Sequence, residues 1–294
     1  MHSTHVFVRN YALDESRPGA DRPAMSDPAI SRATRFQALH QRPEPLLLPN
    51  PWDAGSARLL AQLGFEALAT TSLGVANSAG RRRATAAQIL ENVRELSAAT
   101  DLPLNADLEN GFADSPVDSA RMIAQAWEAG AAGGSIEDCT GNPAQWIYDF
   151  GLAVERVHAA AEAARALPGP FVLTARAEGL LYEVGGLDEV IRRLQAFERA
   201  GADVLYAPGL RTLSEMQTVV KSLTRPVNVV MGFADPSITL DQLRAIGVRR
   251  VSIGGGLSRL ALAAFLDGAR EMRAGRFGFV TRMAALSDLW PAFA

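Results

Sequence analysis

Short apolar runs alternate along the chain with stretches rich in Ala and Leu that have helical spacing. The apolar runs are continuous, which is typical of parallel strands covered by helices. Several of the intervening stretches end at glycine, and two follow residues that favour helix N-caps, Thr85 and Ser115. The apolar runs are PLLLPN, EALATTS, LPLNADLE, GGSIED, PFVLTARAE, ADVLYAPG, PVNVVMG and RRVSIGGG.

This alternation predicts an α/β fold, a TIM (β/α)8 barrel, because roughly eight βα units fit into about 230 residues. A doubly wound open sheet is the alternative, but that fold usually carries a glycine-rich fingerprint after its first strand, and PLLLPNPWDAGS lacks one. We expect residues 1–30 to form a disordered tail, residues 31–275 the barrel and residues 276–294 a helical extension. The apolar side chains of the extension need a surface to pack on, which a neighbouring subunit could provide.

Composition argues against nucleic-acid and membrane partners. The net charge of −3 offers no broad basic surface for nucleic acid or an anionic membrane. No apolar run approaches the length of a membrane span. The single cysteine, Cys139, excludes an intrachain disulfide and multi-cysteine zinc sites, and it favours a cytoplasmic location.

Acidic residues cluster where the third and fourth predicted strands end. Asn105, Asp107 and Glu109 alternate in NADLENG, so an extended backbone points them to one face, and Glu137 ends GGSIED. In a parallel barrel the inner face opens at the C-terminal mouth, where active sites lie. Carboxylates gathered there repel one another unless a proton or a cation intervenes, and an oxygen-only cluster suits Mg²⁺ or Mn²⁺. The alternative is that Glu109 and Glu137 cap loops or pair with arginine.

Two further segments offer groups that bind anions. Arg176 and Glu178 alternate in TARAEG, and an arginine at the mouth suits two parallel hydrogen bonds to a carboxylate or phosphonate. An internal salt bridge from Arg176 to Glu109 or Glu137 is the alternative. The turn TTSLG after the second strand offers backbone N–H groups to an anion.

These segments in this order resemble the isocitrate lyase/phosphoenolpyruvate mutase superfamily, from about Phe36 to Glu271. The resemblance implies a TIM barrel, with a C-terminal helical segment exchanged between subunits of a homodimer or homotetramer. It also implies Mg²⁺ and chemistry at C–C or P–C bonds of small 2-oxo or α-hydroxy acids. The matching stretches are LPNPWDAGSARLLAQLGFEALATTSLGVA, DLENGF, GGSIEDCTG, TARAEG, GADVLYAPG and VSIGGGLSR.

The resemblance also implies roles for individual positions. Asp107, Glu109 and Glu137 match the acids of the metal site, and Arg176 matches the arginine that grips the substrate. The turn at Thr71, Ser72 and Leu73 matches the one that holds a substrate carboxylate, and Asn142 could replace the asparagine of a gating loop. The general acid or base is not assigned by the resemblance. The candidates by position are Tyr148, Glu178, Tyr182 and Tyr206, with Glu178 taken as catalytic beside Arg176.

Departures from the superfamily pattern bear on the reaction. The mobile K-[KR]-C-G-H loop of isocitrate and methylisocitrate lyases is replaced by CTGNPAQWIYDFG, which also lacks the lysine of the phosphonomutases. Cys139 directly follows the strand, so we expect its side chain to lean toward the helix layer and to be dispensable. Arg83 stands where many relatives have an acid in a G-x-P-D-like stretch, and its charge should weaken metal binding.

The sequence therefore favours a Mg²⁺-dependent lyase that cleaves a C–C bond of a small 2-oxo or α-hydroxy (di)carboxylic acid through an enolate-like intermediate. One alternative is a phosphonomutase or phosphonopyruvate hydrolase acting on a P–C bond. The other is a degenerate barrel that binds a metabolite without turnover, which the basic run 81–83 favours.

Overall fold

The computed structural model describes residues 28–293, so the predicted tail, apart from its last three residues, lies outside the described part. The strands are β1 Leu46–Leu48, β2 Leu68–Ala69, β3 Leu104–Asp107, β4 Gly133–Glu137, β5 Cys139–Asn142, β6 Gln145–Ile147, β7 Val172–Arg176, β8 Val204–Tyr206, β9 Val227–Val230 and β10 Arg250–Ser252. The helices are α1 Pro28–Leu39, α2 Ala54–Gln62, α3 Ser72–Ser78, α4 Ala86–Ala99, α5 Pro116–Glu128, α6 Phe150–Arg165, α7 Leu187–Ala200, α8 Leu213–Lys221, α9 Leu240–Ala245, α10 Gly256–Arg273 and α11 Leu286–Phe293.

Eight of these strands form one parallel sheet in the order β1-β10-β9-β8-β7-β4-β3-β2. The backbone N–H of Ala69 donates to the carbonyl of Pro49 at 3.0 Å, which links the two ends of the sheet. The sheet is thereby nearly closed, and helices surround it. The predicted TIM barrel is confirmed, and so are the N-caps: Thr85 accepts from the N–H of Gln88, and Ser115 from that of Asp118.

Helix α1 closes the N-terminal end of the barrel. Ala33, Phe36 and Leu39 pack on apolar residues of the strands, among them Leu48 and Val172. Because this end is filled with apolar side chains, the polar residues that the strands carry inside the barrel lie above it, toward the C-terminal mouth. Helix α1 therefore leaves only the C-terminal end of the barrel open for a site.

A two-stranded antiparallel hairpin, β5 and β6, follows β4 directly. Sequence patterning did not predict it, because CTGNPAQWI has few apolar residues. The indole of Trp146 stacks on the ring of Tyr182 with centroids 4.6 Å apart. The hairpin is thus held beside the loop that follows β7.

Helix α10 follows β10 but is largely exposed. Within the described part of the chain, Ser258 is its one buried residue, whereas Leu260 and Phe265 are 67% and 70% exposed. It contacts the short 3-10 helix Gly278–Arg282, and α11 packs on α2 of the same chain. No helix within residues 28–293 has the length and apolar character needed to cross a membrane.

Candidate active site

The ends of three neighbouring strands place an arginine among carboxylates. Glu137 and Arg176 are partners in the β4–β7 register, and Asp107 is the last residue of β3 beside β4. The Arg176 guanidinium donates from Nη1 to Asp107 Oδ1 at 2.9 Å and from Nε to Glu178 Oε1 at 2.8 Å. Its Nη2 lies 3.0 Å from Glu137 Oε2. The internal salt bridge to Glu137 that the sequence left open is therefore present.

Burial and charge act in opposite directions on this cluster. Burial alone would lower the pKa of Arg176, but the carboxylates of Glu137, Glu178 and Asp107 hold it well above its usual value. Burial raises the pKa of Glu137 well above its usual value, although Arg176 opposes this effect. Burial likewise raises the pKa of Glu178. Burial, the largest influence on all three groups, therefore opposes the charged form of each.

Asp107 is held from the side of β2. Its Oδ2 accepts the backbone N–H of Ser72 at 2.9 Å, and its own N–H donates to the hydroxyl of Thr70 at 2.7 Å. The predicted substrate turn is the first turn of α3, with Thr71 as its N-cap. The N–H of Ser72 is thus already donated to Asp107, although Thr71, Ser72 and Leu73 all line the pocket.

Glu109 reaches the mouth by a route that the sequence did not predict. Strand β3 ends at Asp107, and Glu109 has a left-handed φ of 46°. The extended backbone predicted through residue 109 is therefore wrong. The Oε2 atom of Glu109 accepts from Arg83 Nη2 at 2.8 Å, so the arginine pairing that the sequence left open is found. This hydrogen bond raises the pKa of Arg83.

The three acids predicted as metal ligands do not fit a divalent cation in this arrangement. Their oxygens are hard donors of the kind that Mg²⁺ prefers. However, Asp107 and Glu137 contact Arg176, and Glu109 contacts Arg83. Across residues 28–293, no group of three or more His, Cys, Asp or Glu side chains is arranged to hold a metal ion. The role of these acids as ligands stays a prediction.

A second layer of charge supports Glu178. The Oδ1 atom of Asp138 accepts the backbone N–H of Glu178 at 2.8 Å, and its Oδ2 lies 3.2 Å from Arg193 Nη1. Burial raises the pKa of Asp138 to about 6, against the hydrogen bond and Arg193. Asp138 and Arg193 escaped the sequence analysis because neither lies on the inner face of a strand.

The hairpin forms one wall of the mouth, and two predictions about it are corrected. Cys139 does not lean toward the helix layer: it lines the pocket, where its sulfur accepts the N–H of Gly141 at 3.4 Å and hydrogen bonds to Tyr182. Cys139 lies two residues after Glu137, and the side chains of both residues face the pocket. Asn142 is exposed at the tip, and its Oδ1 accepts the N–H of Ala144, so the structure does not bring it into the pocket.

Inside the barrel lies a polar layer that sequence analysis missed. Arg250 is buried without a carboxylate partner among the described residues, and it donates to Asn228 Oδ1 and Thr174 Oγ1 at 2.9 Å each. Burial lowers its pKa to about 9. The available signal was the presence of polar residues inside two short apolar strands, Asn228 in VNVV and Arg250 with Ser252 in RVS.

These groups surround a cavity of about 490 Å³ at the C-terminal mouth. Asp107, Glu109, Glu137, Arg176 and Glu178 all line it. Its volume lies in the range of small-molecule sites. The strands therefore bring the predicted metal and catalytic residues together. The acids contact the guanidinium groups of Arg176 and Arg83.

Comparison with known proteins agrees with this architecture. Residues 36–273 match the phosphoenolpyruvate phosphomutase family. The chain belongs to this family. Its relatives are lyases and mutases of the isocitrate lyase/phosphoenolpyruvate mutase superfamily, so the predicted superfamily and enzyme class are confirmed.

Three relatives show how this family varies. A lyase/mutase-like protein from Burkholderia cenocepacia J2315 is 51% identical, with a TM-score of 0.89 over 92% of this chain and 98% of that one. The 2-methylisocitrate lyase of Escherichia coli K12 is 31% identical over 72% of this chain and 75% of its own length. An oxaloacetate acetylhydrolase in complex with oxalate is 26% identical, with a TM-score of 0.79 over 90% of this chain and 94% of that one.

Proposed function

We propose that this chain cleaves a carbon–carbon bond of a small 2-oxo or α-hydroxy carboxylic acid through an enolate-like intermediate. The observation that carries the proposal is the Arg176 guanidinium, which lies among Asp107, Glu137 and Glu178 at the mouth of the barrel. The relatives 2-methylisocitrate lyase and oxaloacetate acetylhydrolase support it, because both names designate cleavage of small carboxylic acids.

Substrate binding would use the planar fork of Arg176. A substrate carboxylate can take over the Nη1 and Nη2 donors that now contact Asp107 and Glu137, forming two parallel hydrogen bonds. The Nε bond to Glu178 would keep the fork in place. The cavity of about 490 Å³ limits the substrate to a small acid.

Proton transfer would fall to Glu178. Its carboxyl is buried, and burial raises its pKa above the usual value, although Arg176 opposes the shift; this direction favours a carboxyl that takes up a proton and returns it. For an α-hydroxy acid that carries its hydroxyl next to the scissile bond, the carboxylate takes the hydroxyl proton as that bond breaks. The bonding electrons pass into the enolate, and Glu178 returns the proton to the enolate carbon. Arg176 stabilises the negative charge on the enolate oxygen.

The predicted Mg²⁺ or Mn²⁺ enters no step of this account. Each of the three candidate ligands contacts a guanidinium in the described structure. Dependence of activity on a divalent cation therefore stays a prediction, as does the cytoplasmic location that the lone cysteine favours.

The test is turnover of a panel of small acids followed by proton NMR. The panel contains 2-oxo and α-hydroxy mono- and dicarboxylates and phosphonopyruvate, each with Mg²⁺ or with EDTA. The proposal expects a new 2-oxo acid or carboxylate product from at least one carbon acid, lost in Glu178→Gln but kept in Glu91→Gln, an exposed control. Phosphate release from phosphonopyruvate alone would favour the P–C alternative, and no product from any acid would favour the degenerate barrel.

We also propose that the chain forms a homodimer or homotetramer through α10. In the chain this helix comes after the last barrel strand, where the eighth barrel helix is expected, yet Leu260 and Phe265 are exposed. A second copy has a barrel with the same missing cover, so exchange of α10 would bury both faces. No nucleic acid or membrane partner is proposed.

A further inference from the structure

We propose that the guanidinium of Arg83 takes the place of a divalent cation at this mouth, so that Arg83 and Arg176 bind an oxalate-like dianion without metal. This inference rests on the proposed function, because it concerns how the same pocket holds a small carboxylate. It concerns Arg83, the position at which the resemblance implies an acid in a G-x-P-D-like stretch.

The first argument is position. Arg83 lines the cavity together with Asp107 and Glu137, and its Nη2 is 2.8 Å from Glu109 Oε2. An arginine in place of an acid changes the local charge by two units. The repulsion between a fixed charge and an ion grows with the charge of the ion, so Arg83 opposes a divalent cation twice as strongly as a monovalent one.

The second argument is that the wall of the pocket leaves room for this guanidinium. Gly141, in the β5–β6 hairpin, has a φ of 72°, and a Cβ at this position would overlap the guanidinium of Arg83. The positive φ favours glycine at this position, and the guanidinium of Arg83 packs directly against it.

The third argument is the availability of donors. A guanidinium has five N–H donors, and the hydrogen bonds described for the Arg83 side chain use one of them, to Glu109. The side chain is 55% exposed, unlike that of Arg176 at 15%. Arg83 can therefore offer two parallel N–H groups to a carboxylate, while Glu109 fixes its orientation.

The chemistry follows from these three points. A dianion with two coplanar carboxylates could bind Arg176 with one and Arg83 with the other. In an enolate-forming reaction the same two guanidinium groups would balance the charge that a metal ion would otherwise balance. The acid at position 109 then acts as a positioning residue for Arg83.

Isothermal titration with oxalate tests the inference, in EDTA and in millimolar Mg²⁺. We expect wild type to bind oxalate with the same Kd in both buffers. Arg83→Asp, which restores the acid found in many relatives, should lose affinity in EDTA by about tenfold or more and recover it when Mg²⁺ is added. Arg83→Lys should bind more weakly than wild type but without metal dependence, since it keeps the charge and loses the fork.

Arg81→Asp is the matched control, because Arg81 is exposed in the same loop and does not line the cavity. It should bind oxalate as wild type does. Thermal unfolding of each variant, with and without Mn²⁺, reports folding and metal binding together. Only Arg83→Asp should gain a Mn²⁺-induced rise in Tm.

The inference is overturned if wild type binds oxalate only with Mg²⁺, if it binds none in either buffer, or if Arg83→Asp and Arg81→Asp behave alike. Its failure is separate from that of the proposed function. Turnover that requires Mg²⁺ would contradict metal-free binding by Arg83 and Arg176 but would leave the lyase proposal intact. Metal-free oxalate binding without turnover of any acid would support binding by the two arginines and contradict the lyase proposal.

Discussion

Arg176 and Glu137 are direct partners across the β4–β7 ladder, and Nη2 of Arg176 lies 3.0 Å from Oε2 of Glu137. The same guanidinium contacts Asp107 from β3 and Glu178 beyond β7. The guanidinium of Arg176 thus connects the ends of strands β3, β4 and β7 at the mouth. A substrate carboxylate must compete with these internal acids, so the fork geometry of Arg176 decides whether it can bind.

Arg176→Lys keeps the charge at this position but removes the fork. We expect kcat/KM to fall by about a hundredfold or more, because a point charge cannot hold a carboxylate through two parallel bonds. The free energy of unfolding should change by less than about 2 kcal/mol, since burial of the cluster is itself unfavourable and Lys still neutralises one acid. Steady-state kinetics and urea unfolding measure the two effects. A severe loss of stability with normal kcat/KM would mean that Arg176 serves the fold alone.

Arg156 should be essential for the loop that carries Glu109. Its buried guanidinium donates to the backbone carbonyls of Asn110, Ala113 and Asp114 and lies over the ring of Tyr148. Arg156→Met would leave these carbonyls without donors, at a cost of about 3 kcal/mol or more in unfolding free energy.

Arg165→Met, at the end of the same helix, is the matched control for Arg156→Met. It should cost less, because no side-chain hydrogen bond is described for Arg165. Equal losses in the two variants would contradict this role for Arg156.

His40 should make stability depend on pH. Burial, followed by the charge of Arg250, lowers the pKa of His40 from 6.5 to about 4, although a hydrogen bond to the carbonyl of Phe36 opposes the shift. Below pH 6.5 the unfolded chain takes up a proton that the folded chain refuses until about pH 4, so this contribution to stability falls as pH falls. The full shift corresponds to about 3 kcal/mol.

The measurement compares wild type with His40→Gln by urea unfolding between pH 7 and pH 4. Asp138 has an opposite slope in this range, because its pKa is raised to about 6 and its folded form binds the extra proton. The difference between the two proteins removes that contribution. The advantage of wild type should shrink from pH 6.5 toward pH 4, and a constant difference would show that His40 is not held neutral.

Phe265→Asp tests the role proposed for α10. A charge in the middle of this exposed face should prevent association, because a buried unpaired carboxylate is costly. Light scattering should report a dimer or tetramer for wild type and a smaller species for the variant. Asp267→Asn, on the same helix, should leave the assembly unchanged. A monomeric wild type at micromolar concentration would refute the proposal.

The repeat of strands and helices could be predicted because the strands of a parallel barrel are continuous apolar runs and its helices begin at recognisable N-caps. Continuous apolar runs such as FVLTA mark strands buried on both faces, and caps such as Thr85 mark where helices start. The positions of Asp107, Glu137 and Arg176 followed, because alternation along a strand fixes which side chains face the mouth.

The hairpin and the position of Glu109 could not be predicted, because they depend on contacts between residues that are distant in the sequence. The hairpin is held by the stacking of Trp146 on Tyr182, residues on different loops. Glu109 leaves the strand through a left-handed backbone conformation, which the flat alternation of NADLENG does not reveal. Its pairing with Arg83 joins two loops after different strands, so sequence could offer arginine pairing only as an alternative.

The central claim is that two guanidinium groups hold a small dicarboxylate at this mouth. A crystal of the wild-type protein soaked with oxalate and millimolar Mg²⁺ tests it most directly. The account predicts oxalate within hydrogen-bond distance of both Arg176 and Arg83, with no metal ion between oxalate and Asp107. Oxalate bound to a metal ion at Asp107, or oxalate absent from the mouth in a well-ordered crystal, would contradict it.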